Sequence, residues 1–551
     1  MMKWNVTEFE SNKDCTPEFI LSLPGAFFDS GAGKGKSWLI ELLAKYCKDH
    51  NEPFKVSAFT NAVANKYAEG ETFEENPGTT LHRSFMYGKK LVSVFLIDEV
   101  SQVPQNLWKH ILGYKRAYPQ TKVFLFGDFR QLPAVEMQLH RAVPMENNKT
   151  MMDICHQNRI TFRKNWRFPE EDGKIFDELY DEPAKLPYYQ SRFGGRCDPT
   201  QFQRSLASTH FVRKRINHLH MLKVEEHLQG TPAAQEWLPR KVGGYGKCQD
   251  MYLHAGLPVI AYKRDSKLGI KQRNATYKVR SFDAETVTLT PWCFFADEEK
   301  VSEKDPELTL PKTVLGERFA VAYAVTVHIA QGATIKGMYS IANASSFDRH
   351  LLYTALTRCT AIRNVHFCDV DVPAMTEDDY QKLAKRLQRN IGDLYGGMTW
   401  LEWVQSIKLP RNWTWWDYGL TFEIDHKVSR KDIPDDIAKL NHHGNLRPLA
   451  ISENRSKKAC SDYTVPVRKE SQIVGHWQRC LMWRDKAVRK YATRWVKSAR
   501  SNLKAADIRM KSALEEMGYR DPCEEIAKSK WKADPIPQEQ AHVERKPIDI
   551  G

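Results

Sequence analysis

The chain has 551 residues, with 82 Lys and Arg against 68 Asp and Glu, for a formal charge of +14. That length suggests three to five domains at roughly 100–200 residues each, and the basic balance favours polyanionic partners without identifying one. No apolar run approaches the ~18 residues of a membrane span, the opening MMKWNVTEFESNKDCTPEF lacks an apolar secretory segment, and 11 cysteines without a C-x-x-C pair argue against a disulfide framework or a cysteine zinc knuckle.

The first informative stretch is FFDSGAGKGKSWLI, Phe27–Ile40. An apolar run leads into a glycine-rich loop, and WLIELLAKYC continues with helical periodicity. This is the context a phosphate-binding loop requires. Gly31, Gly33 and Gly35 let backbone N–H groups approach phosphate oxygens, Lys36 reaches the β- and γ-phosphates, and Ser37 ligates Mg²⁺. Ser30 stands where the first glycine of such a loop is usual. LVSVFLIDEVSQV then reads as a buried strand ending in Asp98-Glu99. Asp98 suits a Mg²⁺-holding carboxylate and Glu99 one that orients the attacking water.

KVFLFGDFRQLPAV, Lys122–Val135, is where the chain resembles superfamily 1 DNA helicases of the RecD/Dda-like branch. The resemblance implies that Gln131 senses the γ-phosphate. SAFTNAVANKY resembles the backbone-touching motif Ia, with Thr60 at its threonine, and TTLHRSF carries His82 at the histidine before the acidic strand. KNWRF implies a phosphate contact by Arg167. STHFVRKRIN resembles the opening of a second motor lobe. YAVTVHIAQGATIKG matches motif V through His328, Gln331, Gly332 and Thr334, and LLYTALTRCTA places Arg358 as the arginine finger. The resemblance thus implies Gln331, Gly332 and Arg358 at ATP, and Thr60, His82, His328 and Thr334 on nucleic acid. Between them, GLPVIAYKRDSKLGIKQRNATYKVRSFDAETVTLTPW alternates β-branched and polar residues and reads as a β insert, similar to the SH3-like insertion of this branch.

Past residue 370 the composition turns aromatic, in EWVQSIKLPRNWTWWDYG. TFEIDHKVSRKD and LNHHGNLRPLAISENRSKK then resemble the HNH nucleases, a ββα-metal fold. The resemblance assigns His426 as general base, Asp425 and Asn454 as ligands of Mg²⁺ or Mn²⁺, Asn445 as the residue that pins the loop, and Lys457 as a phosphate contact. These residue types suit the chemistry. A histidine titrates close to neutrality, and hard oxygen donors favour Mg²⁺ or Mn²⁺ over zinc. From Ser471 to Lys511 eleven Lys and Arg face two acids, with Trp477, Leu481, Val488 and Tyr491 at helical spacing. This segment reads either as a packing helix with a solvated face or as a duplex-binding arm.

The expectation is therefore an α/β protein with two RecA-like P-loop NTPase lobes. Lobe one spans 1–150. Lobe two spans 151–370 and carries a small SH3-like β insert at about 245–315. An HNH domain at 371–470 and a basic helical region at 471–551 complete the chain. The implied function is an ATP-dependent DNA helicase or translocase, 5′ to 3′ on single strands, joined to a metal-dependent endonuclease. ATP and Mg²⁺, single-stranded and duplex DNA, and replication or single-strand-binding proteins are the implied partners, for a monomeric motor in a bacterial or phage-infected cytoplasm. The alternatives left open are an inactive HNH-like grip, an RNA-directed motor, and an ATP-binding switch.

Overall fold

The computed structural model of the chain describes residues 3–59, 61–67, 71–74, 76–81, 83–84, 92–103, 105–133, 148–192, 196–231, 235–240, 247–270, 273–295, 307–409, 412–429, 436–451 and 454. Its first sheet has seven parallel strands: β1 (Asn5–Phe9), β2 (Gly25–Asp29), β3 (Phe54–Ala58), β4 (Thr79–Thr80), β5 (Val94–Asp98), β6 (Lys122–Gly127) and β7 (Asn158–Phe162). Their spatial order is β1-β7-β2-β6-β5-β3-β4. The central strands GAFFD, VFLID and KVFLFG are apolar almost throughout because both faces are covered. Phe28, Phe124 and Phe126 pack on one side against α1 (Lys36–Asp49), and Phe27, Leu125, Trp108 and Ile111 form the core on the other. The sheet takes in β7, so the first lobe runs to Phe162 and past the boundary expected at 150.

A second parallel sheet starts with β8 (Arg196–Cys197) and β9 (Ser205–Ala207). The chain then leaves it for β10 (Glu236–Leu238) paired with β11 (Met251–Leu253), and for five antiparallel strands: β12 (Pro258–Ala261), β13 (Thr276–Phe282), β14 (Thr286–Trp292), β15 (Leu308–Pro311) and β16 (Phe319–Val321). The insert is therefore wider than the expected 245–315. It begins with the β10–β11 ribbon and ends at Val321. Asn274 takes φ 66 in the turn before β13, a left-handed conformation that asparagine tolerates. The chain returns to the second sheet with β17 (Ala324–Thr326), β18 (Tyr339–Ala342) and β19 (Val365–Cys368), in the order β17-β9-β18-β19-β8. Around it lie α2 (Glu170–Asp181), α3 (His210–Leu228) and α4 (Arg349–Leu356), with Phe176, Leu179, Leu351 and Leu352 in the core.

Beyond the motor lobes, α5 (Glu377–Ile391) and α6 (Trp400–Ser406) both start in capping boxes, at Thr376/Asp379 and Thr399/Glu402. Trp400, Trp403, Trp415 and Phe422 form one aromatic core. That core carries an antiparallel ribbon of β20 (Phe422–His426) and β21 (Leu446–Ala450), with Asp425 opposite Arg447. The ribbon's module is joined to lobe two through Asp417, which is 1% exposed. Asp417 Oδ1 accepts the Phe211 N–H at 3.1 Å and the Thr421 hydroxyl at 3.0 Å, and Oδ2 accepts from Thr414. The carboxylate thus serves an otherwise orphaned donor at the positive end of α3. Trp416 stacks on Phe211 at 5.7 Å beside it. The basic segment expected over 471–551 lies outside the described residues. No helix among the described residues is long and apolar enough to cross a membrane.

Candidate functional site

The phosphate loop leaves β2 and enters α1 at Lys36. Gly33 (φ 78) and Gly35 (φ 82) take left-handed conformations, and a Cβ on Gly31 would run into Arg130 Nη2. Ser30 is not left-handed and has a task of its own. Its hydroxyl accepts the Phe162 N–H at 3.1 Å, tying the loop to the end of β7. Lys36 is buried, donates to Ser30 O and to Gly31 O at 2.9 Å, and has its pKa lowered by burial. Asn165 supports the loop from the following lobe junction, donating to Ala32 O at 2.8 Å and accepting from the Arg167 and Phe168 N–H groups.

At the end of β5, Asp98 Oδ2 accepts the Tyr67 hydroxyl at 2.6 Å and Oδ1 accepts the Glu99 N–H at 2.8 Å. Tyr67 is fully buried. Glu99 sits at φ 51, which is uncommon for a side chain of its size. Its Oε2 is buried without a hydrogen-bond partner. Burial first, and then Asp98, hold the Glu99 carboxyl above the usual range. A buried acceptor held in strained backbone is the kind of feature that collects at reactive centres. The oxygen donors Ser37 and Asp98 beside it suit Mg²⁺.

One cleft of about 180 Å³ is lined by Gly33, Gly35, Lys36, Ser37, Asp98, Glu99, Gln131, Arg167, Gly332 and Arg358, and also by Lys66, Trp38 and Trp166. Residues from both lobes therefore face the same space. Arg358 is 1% exposed and donates to Thr354 O (2.9 Å), Ala333 O (3.0 Å) and Gln131 Oε1 (3.1 Å). Arg167 donates to Thr357 O at 2.9 Å. Its pKa falls to about 10 through burial and the nearby Arg358. Gln331, expected at the nucleotide, instead donates across the lobes to Leu132 O at 3.3 Å. Leu132 N–H donates to Thr354 Oγ1 at 2.9 Å, and Arg130 pairs with Asp128 and with Asp177 of α2 while lying 4.7 Å over the Tyr353 ring. Burial raises the Asp128 carboxyl, but Arg130 and Lys36 more than offset it and leave it lowered. Three consecutive residues, Arg130, Gln131 and Leu132, thus each contact lobe two.

On lobe two, His328 is exposed and Thr334 half-buried after β17. Beside them α3 and the insert gather cations. Burial first, and then Lys247, Arg213, His328 and Lys214, hold the His210 imidazole well below its usual range. Lys247 lies 5.6 Å from the Tyr262 ring. Burial, then Arg213 and Arg240, bring Lys214 down to about 7. Thr60, His82 and Lys457 lie outside the described residues.

At the ribbon, His426 Nε2 lies 3.0 Å from Asn441 Oδ1, and Asn441 Nδ2 donates to Ile391 O at 3.2 Å. That second bond orients the amide, so the oxygen faces the ring and the neutral ring carries its proton on Nε2. Asn445 accepts the Val428 N–H at 2.8 Å and donates to Leu440 O at 2.8 Å, closing the loop behind His426. Asp425 is buried, 3.6 Å from Arg447. Asn454 donates to Glu423 Oε2 at 3.1 Å. Strand alternation places Glu423 on the same face as Asp425. Among the described residues no group of three His, Cys, Asp or Glu side chains forms a metal cluster. The sequence reading missed Lys66, Tyr67, Asn165, Glu423 and Asn441. Of these, only Glu423 had a local cue, its position two residues before Asp425.

Residues 26–160 match the family described as AAA domain. Over 407 residues the chain is 20% identical to the ATP-dependent DNA helicase Pif1 of Campylobacter jejuni, covering 62% of this chain and 88% of that one. It is 23% identical over 283 residues to the conjugal transfer protein TraA of Agrobacterium fabrum, spanning 48% of this chain and 24% of that protein. Among solved structures it is similar to Bacteroides Pif1 bound to ssDNA (17% identity, TM-score 0.44, 69% of this chain and 97% of that one). It is also similar to Pif1 helicase from Candida albicans (14%, TM-score 0.45, 69% and 99%).

Proposed function

We propose that this chain is an ATP-driven DNA helicase or translocase, moving 5′ to 3′ on single strands, whose carboxyl-side module is a metal-dependent HNH endonuclease. The observation that carries the motor is the shared cleft. Lys36, Ser37, Asp98 and Glu99 come from lobe one, Arg358 from lobe two, and all line one space. In this reading Lys36 and the loop N–H groups hold the β- and γ-phosphates, and Glu99 orients the attacking water. Arg358 offers a planar, permanently charged fork to the charge that develops on the γ-phosphoryl group. Ser37 and Asp98 would hold Mg²⁺, which neutralises phosphate charge. Gln131 is bonded to Arg358, and Leu132 to Thr354. A change at the γ-phosphate is therefore passed to lobe two without a gap, where His328, Thr334 and Lys214 of α3 face the strand. Backbone contacts of this kind need no sequence preference. The helicase similarity to Pif1 supports the same reading.

For the nuclease, Asp425, Glu423 and Asn454 offer hard oxygen donors that suit Mg²⁺ or Mn²⁺. The bound ion would supply charge neutralisation at the leaving oxygen. His426 takes the proton of the attacking water, while Asn445 keeps the loop closed behind it. The test is a supercoiled-plasmid assay with ATP and metal varied independently, alongside ATP turnover on single-stranded DNA and RNA. Lys36→Ala should abolish ATP turnover and leave metal-dependent nicking, and His426→Ala should do the reverse. Turnover without nicking would leave an HNH-like grip, and stimulation by RNA alone would sink the DNA assignment.

A further inference from the structure

The short turn Asn65–Tyr67 brings two successive side chains to the acidic end of β5. Tyr67 binds Asp98. Lys66 reaches across the lobes. Its ammonium donates to Gly332 O, a backbone carbonyl of lobe two 266 positions away, while it lines the same cleft as Lys36, Glu99 and Arg358. A Cβ placed on Gly332 would stand 3.7 Å from Lys66 Nζ and 3.7 Å from Glu99 Oε1. The lysine therefore lies close to Glu99 within the cleft. Its strongest charged neighbours are Asp98 and Glu99, followed by Arg358 and Arg167.

We propose that Lys66 is a further catalytic residue, a second ammonium that contacts the γ-phosphoryl group during hydrolysis and ties that contact to Gly332. This rests on the ATPase reading above. In the step, the water oxygen forms a bond to the γ-phosphorus, the bond from phosphorus to the β–γ bridging oxygen breaks, and its electron pair leaves with ADP. The proton of the water goes to Glu99 and then to solvent. Charge grows on the bridging and γ-oxygens, and a fixed ammonium stabilises it more in the transition state than in bound ATP. Lysine suits this place, because a flexible stem can keep the Gly332 carbonyl on one N–H and offer phosphate another.

The experiment is steady-state ATP hydrolysis on single-stranded DNA by the full chain and by Lys66→Met and Lys66→Arg. Single-strand binding is measured in parallel with a non-hydrolysable ATP analogue. Lys66→Met should lose about 100-fold in kcat, with KM for ATP and single-strand binding within about threefold, while Lys66→Arg recovers at least a tenth of the wild-type kcat. Lys66 lies at the surface of the cleft, and circular dichroism of both variants should match the wild type. A Lys66→Met protein with wild-type kcat, or with its loss confined to KM or to strand binding, overturns the proposal and leaves the ATPase reading intact. A wild-type chain that turns over no ATP overturns the ATPase reading itself.

Discussion

Replacing Tyr67 by Phe isolates one atom. The hydroxyl donates to Asp98 Oδ2 at 2.6 Å from a fully buried ring, and the only other hydrogen bond described for Asp98 is from the Glu99 N–H. Phenylalanine keeps the edge contact with Phe73 at 5.7 Å and opens no cavity, so the cost is that of the hydroxyl's hydrogen bonds, to Ser37 and to Asp98, about 1.5–3 kcal/mol for the one made to a charged group. Taking about 2 kcal/mol and assigning all of it to the orientation of Asp98 gives a roughly 30-fold weaker hold on Mg²⁺. If part is spent on folding instead, the melting temperature falls by a few degrees and the Mg²⁺ effect shrinks to about tenfold. The assay is ATP turnover against Mg²⁺ at saturating ATP. The half-saturating Mg²⁺ concentration should rise within that range, and kcat should recover at high Mg²⁺. A Tyr67→Phe protein with an unchanged Mg²⁺ requirement and unchanged unfolding would show that the hydroxyl does not hold Asp98, and would refute the reasoning.

Ser30→Gly should restore the usual phosphate-loop glycine yet destabilise the chain by about 1–2 kcal/mol, because the buried Phe162 N–H loses its acceptor. Denaturant midpoints should fall while kcat for ATP stays put. Asp417→Ala leaves the Phe211 N–H unsatisfied at the start of α3, at a cost of about 1–3 kcal/mol. Limited proteolysis should then release the aromatic and ribbon module sooner, with ATP turnover retained. Lys214 gains its proton as pH falls through about 7, with Arg213 and Arg240 opposing the charged form and Cys248 and Asp250 favouring it. A nearby phosphate favours the charged form, so single-strand affinity should rise about three- to tenfold from pH 8 to pH 6, and Lys214→Met should flatten that slope in fluorescence anisotropy titrations.

What could be read from the residues was whatever is local. The phosphate loop is contiguous, the buried strands announce themselves as apolar runs, and Asp98-Glu99 follows one of them directly. The partners of these groups were not legible, because the contacts join distant positions. Tyr67 meets Asp98 across 31 residues, Asn165 meets Ala32 across 133, and Asn12 meets Gly35 across 23. The same cause misplaced the first boundary. β7 follows β6 in the chain but is inserted between β1 and β2 in space, and nothing in NRITF marks that position. Ser30 shows the converse. As a letter it looks like a tolerated departure from a glycine pattern, whereas its hydroxyl binds the loop to that misplaced strand. The joint at Asp417 extends this logic to the coupling of activities. The carboxylate that starts the turn leading to β20 also accepts from the first turn of α3, and α3 carries Lys214 on the face assigned to the strand. A module fixed at that point travels with lobe two. Under the proposed function, closure of the cleft around Arg358 and Lys36 would move His426 and Lys214 together, so that nuclease and track would need no separate signal to stay in register.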